Sequence, residues 1–167
     1  IVTDQVVSAM SDTQTPQGIL ALAKQYEYEL SDLLSAPGPA HLMILENLQD
    51  PGNLGTILRA GEGAGITGVI MSRDTVDIYN PKVVRSTMGS AFRVLPGTVR
   101  ELKAGGIRLF AAHLEGRNNY EEEDYTGNTG FLIGNEGNGL TEELSAAADA
   151  WVKIPMAGKV ESLNAAV

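Results

Sequence analysis

Polar side chains in three stretches of this sequence stand in settings that raise the question of a ligand: Arg59 in the first, Glu136 in the second, and Ser162 and Asn164 in the third. The first, "DPGNLGTILRAGEG" (Asp50–Gly63), puts a permanently charged guanidinium into a helical pattern of apolar residues. With Asn53 as N-cap, Leu54, Ile57, Leu58, Gly61 and Ala64 fall on one face, and Arg59 stands nearly opposite them. Gly61 and Gly63 each cost a helix about 1 kcal/mol relative to alanine. That cost points to close approach of backbone or of a ligand, and a side chain at 63, four residues on from Arg59, would crowd the guanidinium. The second stretch, "FLIGNEGNGL" (Phe131–Leu140), is a strand entering a turn with three glycines in six residues. Glu136 lies in the turn, where a carboxylate suits a cationic or hydroxyl-bearing ligand; no lysine follows, so it is not a P-loop. In the third, "IPMAGKVESLNAAV" (Ile154–Val167), Ser162 and Asn164 sit among apolar residues in a loop turning into a helix, and they need hydrogen-bond partners from the fold or from a ligand.

The elements that must position these groups alternate along the chain. "HLMIL", "GVIM", "FRVL", "RLFAAHL", "GFLIG" and "WVKIP" are short apolar runs that read as strands. Leu54–Ala64, Pro81–Ser90, Thr98–Ala104 and Thr141–Ala148 read as the helices between them. This alternation predicts an α/β fold, a parallel sheet with helices on both faces. Residues 1–40 end in the breaker "APGPA" and read as a lead-in from an upstream domain; residues 41–167 form the main domain. The chain starts at Ile1 and stops as its last helix begins, so further residues are expected at both ends. "GAGITG" (Gly63–Gly68) matches a dinucleotide fingerprint, but a helix precedes it and a strand follows, the reverse of what that site needs, which disfavours an oxidoreductase.

Composition narrows the classes. With 167 residues the chain holds one domain with a proper core, and no apolar stretch approaches the roughly 20 residues that span a bilayer. The absence of cysteine excludes disulfides and thiolate metal sites and fits a cytoplasmic protein. The net charge of −9 argues against non-specific coating of nucleic acid. Yet Arg73–Arg108 holds seven bases against three acids, whereas Glu115–Asp149 holds nine acids and one base. A polyanion should therefore meet the middle third. "EEED" (Glu121–Asp124) reads as a solvated loop, His41 and His113 as strand-end residues, and the scattered aromatics form no base-stacking platform.

Taken together and in this order, the three stretches resemble the SpoU (TrmH-like) family of RNA ribose 2′-O-methyltransferases, of the SPOUT class. The resemblance covers Leu42–Val167 and extends more weakly to "SDTQTPQGILALA". It implies a C-terminal trefoil knot, a homodimer with the site near the subunit interface, and S-adenosylmethionine as methyl donor, with no metal. By position, Gly134, Ile154 and Leu163 would touch the donor through backbone groups, while Ala112 and Met156 would line its pocket. Asn53, Arg59, Glu136, Ser162 and Asn164 would form the catalytic set. The family's usual proposal gives Arg59 the proton of the ribose hydroxyl. A guanidinium has a pKa above about 12, so holding the hydroxyl or the adjoining phosphate is physically easier. RNA should lie along the basic stretch, with Arg85 and Arg93 on phosphates. Ribosomal RNA is the expected substrate. The alternatives are transfer RNA, a non-catalytic S-adenosylmethionine-binding module, and a SPOUT enzyme acting on a base or a protein, against which Arg59 and "SLN" favour ribose.

Overall fold

The computed structural model describes residues 1–11, 13–22, 24, 29–35, 37–84, 92–93, 97–158 and 162–167. Among these residues seven strands form one sheet: β1 (His41–Leu45), β2 (Gly68–Met71), β3 (Phe92–Arg93), β4 (Arg108–Ala112), β5 (Asn118–Asn119), β6 (Thr129–Ile133) and β7 (Ala150–Lys153). Their order is β3-β2-β1-β6-β4-β7-β5, and every pairing is parallel. In β1, Leu42 and Ile44 join the core on one face, and Met43 and Leu45 pack on the other. That two-sided burial is why "HLMIL" is apolar throughout.

Helices α1 (Asp4–Met10), α2 (Leu30–Leu34), α3 (Pro51–Gly63), α4 (Pro81–Val84), α5 (Thr98–Ala104) and α6 (Glu142–Ala147) complete the fold. On the first face, Leu33 of α2 and Leu102 of α5 meet Leu42, Ile44, Ile70, Leu109, Ala111 and Leu132, and Leu144 of α6 packs against them. The lead-in thus contributes Leu33 to the core. On the second face, Leu54, Ile57 and Leu58 of α3 and Val83 of α4 cover Leu45, Val69 and Met71. Each fully buried leucine or isoleucine contributes about 1.5–3 kcal/mol, enough to hold α3 despite its glycines.

The structure revises several expectations. The N-cap of α3 is Asp50, whose carboxylate accepts from the N–H groups of Gly52 (2.5 Å) and Asn53 (3.0 Å). Pro51 then takes the first helical position, where its missing N–H costs nothing. Ala64 is the exposed C-cap and not part of the buried face. Gly61 lies against β1, where an added Cβ would stand 3.1 Å from Met43 Sδ, but one on Gly63 would meet nothing within 4 Å. The crowding argument therefore holds for Gly61 against the sheet and not for Gly63. Of the helix expected over 81–90, Pro81–Val84 is present and 85–90 lie outside the described residues; β3 covers 92–93, and 94–95 are likewise outside. The C-terminal stretch forms no helix among the described residues and closes in a turn, with Val167 N–H donating to the Asn164 carbonyl (2.9 Å). "EEED" is only partly solvated. Glu123 accepts from Arg108 at 2.8 Å with its side chain 9% exposed, and the Arg108 guanidinium lies 4.6 Å from the centre of the Phe110 ring.

Candidate active site

In an open parallel sheet a crevice forms where two neighbouring strands send their following helices to opposite faces. β1 and β6 are such a pair, since α3 leaves β1 on the second face and α6 leaves β6 on the first. Two carboxylates tie the loops across this crevice. Glu136, after β6, accepts from the N–H of Gln49 (3.2 Å), the N–H of Asp50 (3.1 Å) and Asn53 Nδ2 (3.1 Å), all at the start of α3. Glu46, after β1, accepts from the N–H (2.7 Å) and Oγ1 (2.8 Å) of Thr141, the N-cap of α6. Each loop thus holds the first turn of the other loop's helix, where negative charge is favourable. Desolvation pulls the Glu136 carboxyl upward, but hydrogen bonds from its own N–H, Asn53, Asp50 and Gln49 outweigh it and keep the group below the ordinary glutamate range.

The turn carrying Glu136 is closed by its neighbours. Asn135 and Gly139 exchange backbone hydrogen bonds of 3.0 and 2.9 Å. The Asn135 side chain accepts from the N–H of Gly137 (2.8 Å) and of Asn138 (3.1 Å), and donates to the Asn47 carbonyl (2.7 Å). Asn47 itself adopts φ 53°, the left-handed region that asparagine tolerates. A Cβ on Gly134 would fall on the Gly139–Leu140 peptide, so only glycine fits there.

Asn53 and Glu136 are therefore brought into direct contact. The third stretch reaches the same neighbourhood, because Ala165 and Ala166 pack against the second-face cluster that holds Leu54, Ile57 and Leu58. Arg59 projects from the exposed side of α3, and among the described residues neither it nor Ser162 makes a hydrogen bond or ion pair that would join it to Glu136. Asn164 turns its side chain to the N–H of Ala166 (2.8 Å). Ala112 is exposed at the carboxyl end of β4. Ile154, Met156 and Leu163 are 45%, 38% and 40% exposed. Arg93 sits on the edge strand β3, and Arg85 lies outside the described residues. Sequence reasoning missed Glu46 and gave Asn135 no role. Their partners Thr141 and Asn47 are 95 and 88 residues away, so no local spacing marks them.

A doubly covered parallel sheet with a clasped crevice at its carboxyl edge is the layout of nucleotide- and cofactor-binding α/β proteins. Residues 40–167 match the SpoU rRNA Methylase family, and the chain belongs to that family. The chain is 33% identical to the 23S rRNA (guanosine(2553)-2′-O)-methyltransferase RlmP of Bacillus subtilis, over all of this chain and 67% of that protein. It is 36% identical to the 23S rRNA (guanosine-2′-O-)-methyltransferase RlmB of Xanthomonas campestris, over 84% of this chain and 60% of that one. The crystal structure of an AdoMet-bound rRNA methyltransferase from Sinorhizobium meliloti superposes with a TM-score of 0.87 at 34% identity, covering 98% of this chain and 65% of that one. The chain thus spans about two thirds or less of the length of these relatives.

Proposed function

We propose that this chain is the catalytic domain of an S-adenosylmethionine-dependent RNA ribose 2′-O-methyltransferase, acting on structured ribosomal RNA. The observation that carries the reading is the Glu136 clasp, which fastens the second motif to Asn53 and the start of α3 at the crevice. Ala165 and Ala166 of the third motif pack on the cluster that holds Leu54, Ile57 and Leu58 of the first, and relatives 33% and 36% identical are named as ribosomal RNA enzymes.

The donor fits the residues present. Ile154, Met156 and Leu163 offer uncovered apolar surface that an adenosyl group would bury, beside the Gly134 backbone. These residues, with Ala112, would hold it. S-adenosylmethionine supplies a methyl group already activated by the sulfonium charge, so orientation of the acceptor provides much of the rate. Arg59, on the outer side of α3, holds the target hydroxyl or its neighbouring phosphate by charge-assisted hydrogen bonds. Glu136 and Asn53 fix the helix that carries Arg59. Ser162 and Asn164 complete the polar wall. Arg85 and Arg93 take the RNA backbone. A C-terminal trefoil knot, a homodimer that completes the site and a cytoplasmic location belong to the same reading. Among the described residues no helix is long and apolar enough to cross a membrane.

Titration of the intact protein with S-adenosylmethionine, with NADH as control, followed by methyl transfer from labelled donor into total RNA, tests this. Binding of the donor alone and label recovered in 2′-O-methylnucleosides is the expected result. Label in a base or in protein, or binding without transfer, overturns it.

A further inference from the structure

A cleft of about 480 Å³ opens on the crevice between β1 and β6, lined by Asn47, Gln49, Asp74, Asn135, Asn138 and residues 139–141. Its polar atoms are unevenly used. Gln49 spends its Nε2 on the carbonyls of Asp74 (2.7 Å) and Asn47 (3.3 Å), and the Asn135 side chain is taken up by the Asn47 carbonyl and by the N–H groups of Gly137 and Asn138. The Asp74 carboxylate and the Asn138 side-chain amide have no hydrogen-bond or ionic partner among the described residues. Gln49 joins this cleft to the clasp: its side chain lines one, and its backbone N–H donates to Glu136 in the other. Asn53 Nδ2 donates to the same Glu136 carboxylate, so the cleft, the clasp and the start of α3 are neighbours.

We infer that this cleft receives the base of the target nucleotide and that Asp74 reads it as guanine. The inference rests on the ribose-methylation reading above. A lone carboxylate accepts two hydrogen bonds side by side. Guanine is the RNA base whose Watson–Crick edge offers two adjacent donors, N1–H and the exocyclic amino group. Adenine and cytosine each set a ring-nitrogen lone pair beside their amino group, and uracil sets carbonyls on both sides of its N3–H, so each places an acceptor against the carboxylate. The Asn138 amide can donate to guanine O6. Splayed-out bases read on this edge are the usual mode of sequence-specific RNA recognition.

The test separates this inference from the activity it rests on. Total RNA from cells lacking the gene is methylated by the intact protein, and the 2′-O-methylnucleosides are identified by mass spectrometry. Wild type should give 2′-O-methylguanosine. Asp74→Asn offers one acceptor and one donor, the complement of adenine. It should lower kcat/KM for guanosine by about 5- to 150-fold, the span of one bidentate pair. It should also raise the share of 2′-O-methyladenosine and leave S-adenosylmethionine affinity and thermal stability unchanged, since Asp74 is exposed. A wild-type product on another nucleoside, or a variant within twofold of wild type on guanosine, overturns the assignment. A proportional fall in donor affinity does so too, by giving the cleft to the donor. If wild type produces no 2′-O-methylnucleoside, the ribose-methylation reading fails, and the base site fails with it.

Discussion

Gly134→Ala places a methyl group on the Gly139–Leu140 peptide. The obstacle is backbone, so no rotamer change relieves it. The turn must open, straining or breaking the two hydrogen bonds between Asn135 and Gly139, of 3.0 and 2.9 Å. Overpacking costs about 1–3 kcal/mol, and each lost hydrogen bond adds about 0.5–1.5 kcal/mol. The sum is about 2–6 kcal/mol, and at roughly 2–4 °C per kcal/mol for a domain of this size Tm should fall by about 4–24 °C. Opening the turn also moves Glu136 off the start of α3, so donor binding should weaken with stability. Gly137→Ala is the internal control. It lies in the same turn, its φ is not positive, and its Cβ would meet only Asn135 Oδ1 at an ordinary 3.5 Å. Its Tm should stay within about 2 °C of wild type, as for a surface substitution of about 0.5 kcal/mol. Thermal unfolding followed by circular dichroism, with calorimetric titration of S-adenosylmethionine, reads both effects. Equal melting temperatures for the two variants would show that position 134 has room for a Cβ.

Two further outcomes follow from the same geometry. The carboxyl of Glu136 is held below its ordinary range, so its stabilisation is complete above the unfolded pKa of about 4.3 and is lost as pH falls through the lower folded value. The Tm gap between wild type and Glu136→Gln should therefore be largest near neutrality and shrink below about pH 4; a gap that widens on acidification contradicts the clasp. Gly63→Ala, in a helix with open space at its Cβ, should raise stability by about 0.5–1 kcal/mol, and a fall in Tm would show that the residue is packed after all.

Periodicity made the scaffold legible where it was strong. "HLMIL" and "GVIM" became β1 and β2 with the bounds read from the sequence, and Thr98–Ala104 became α5. Each is a continuous apolar run or a clean amphipathic repeat with a breaker beside it. The start of α3 was misread because Asn53 and Asp50 are both good N-caps and the pattern alone does not rank them. The structure gives the cap to Asp50, since Pro51 can then open the helix, and frees the Asn53 side chain for Glu136. The candidate site was legible through its motifs, not through its bonds. Glu46 and Asn135 act on partners brought near by β1 and β6 lying side by side, and strand order is not a local property of the chain. The two-residue strand β5 carries no apolar pattern at all, and Asn118–Asn119 owes its pairing to β7.

If the crevice and Arg59 together modify a ribose, a map of 2′-O-methylation across ribosomal and transfer RNA reads the effect at its target. Cells lacking the gene are compared with cells complemented by wild type or by Arg59→Ala. Arg59 is exposed, so the variant should fold as wild type does and bind donor normally. One ribosomal ribose mark should be lost on deletion, restored by wild type and absent with Arg59→Ala. Maps that do not change on deletion, or full restoration by Arg59→Ala, would contradict that chemistry.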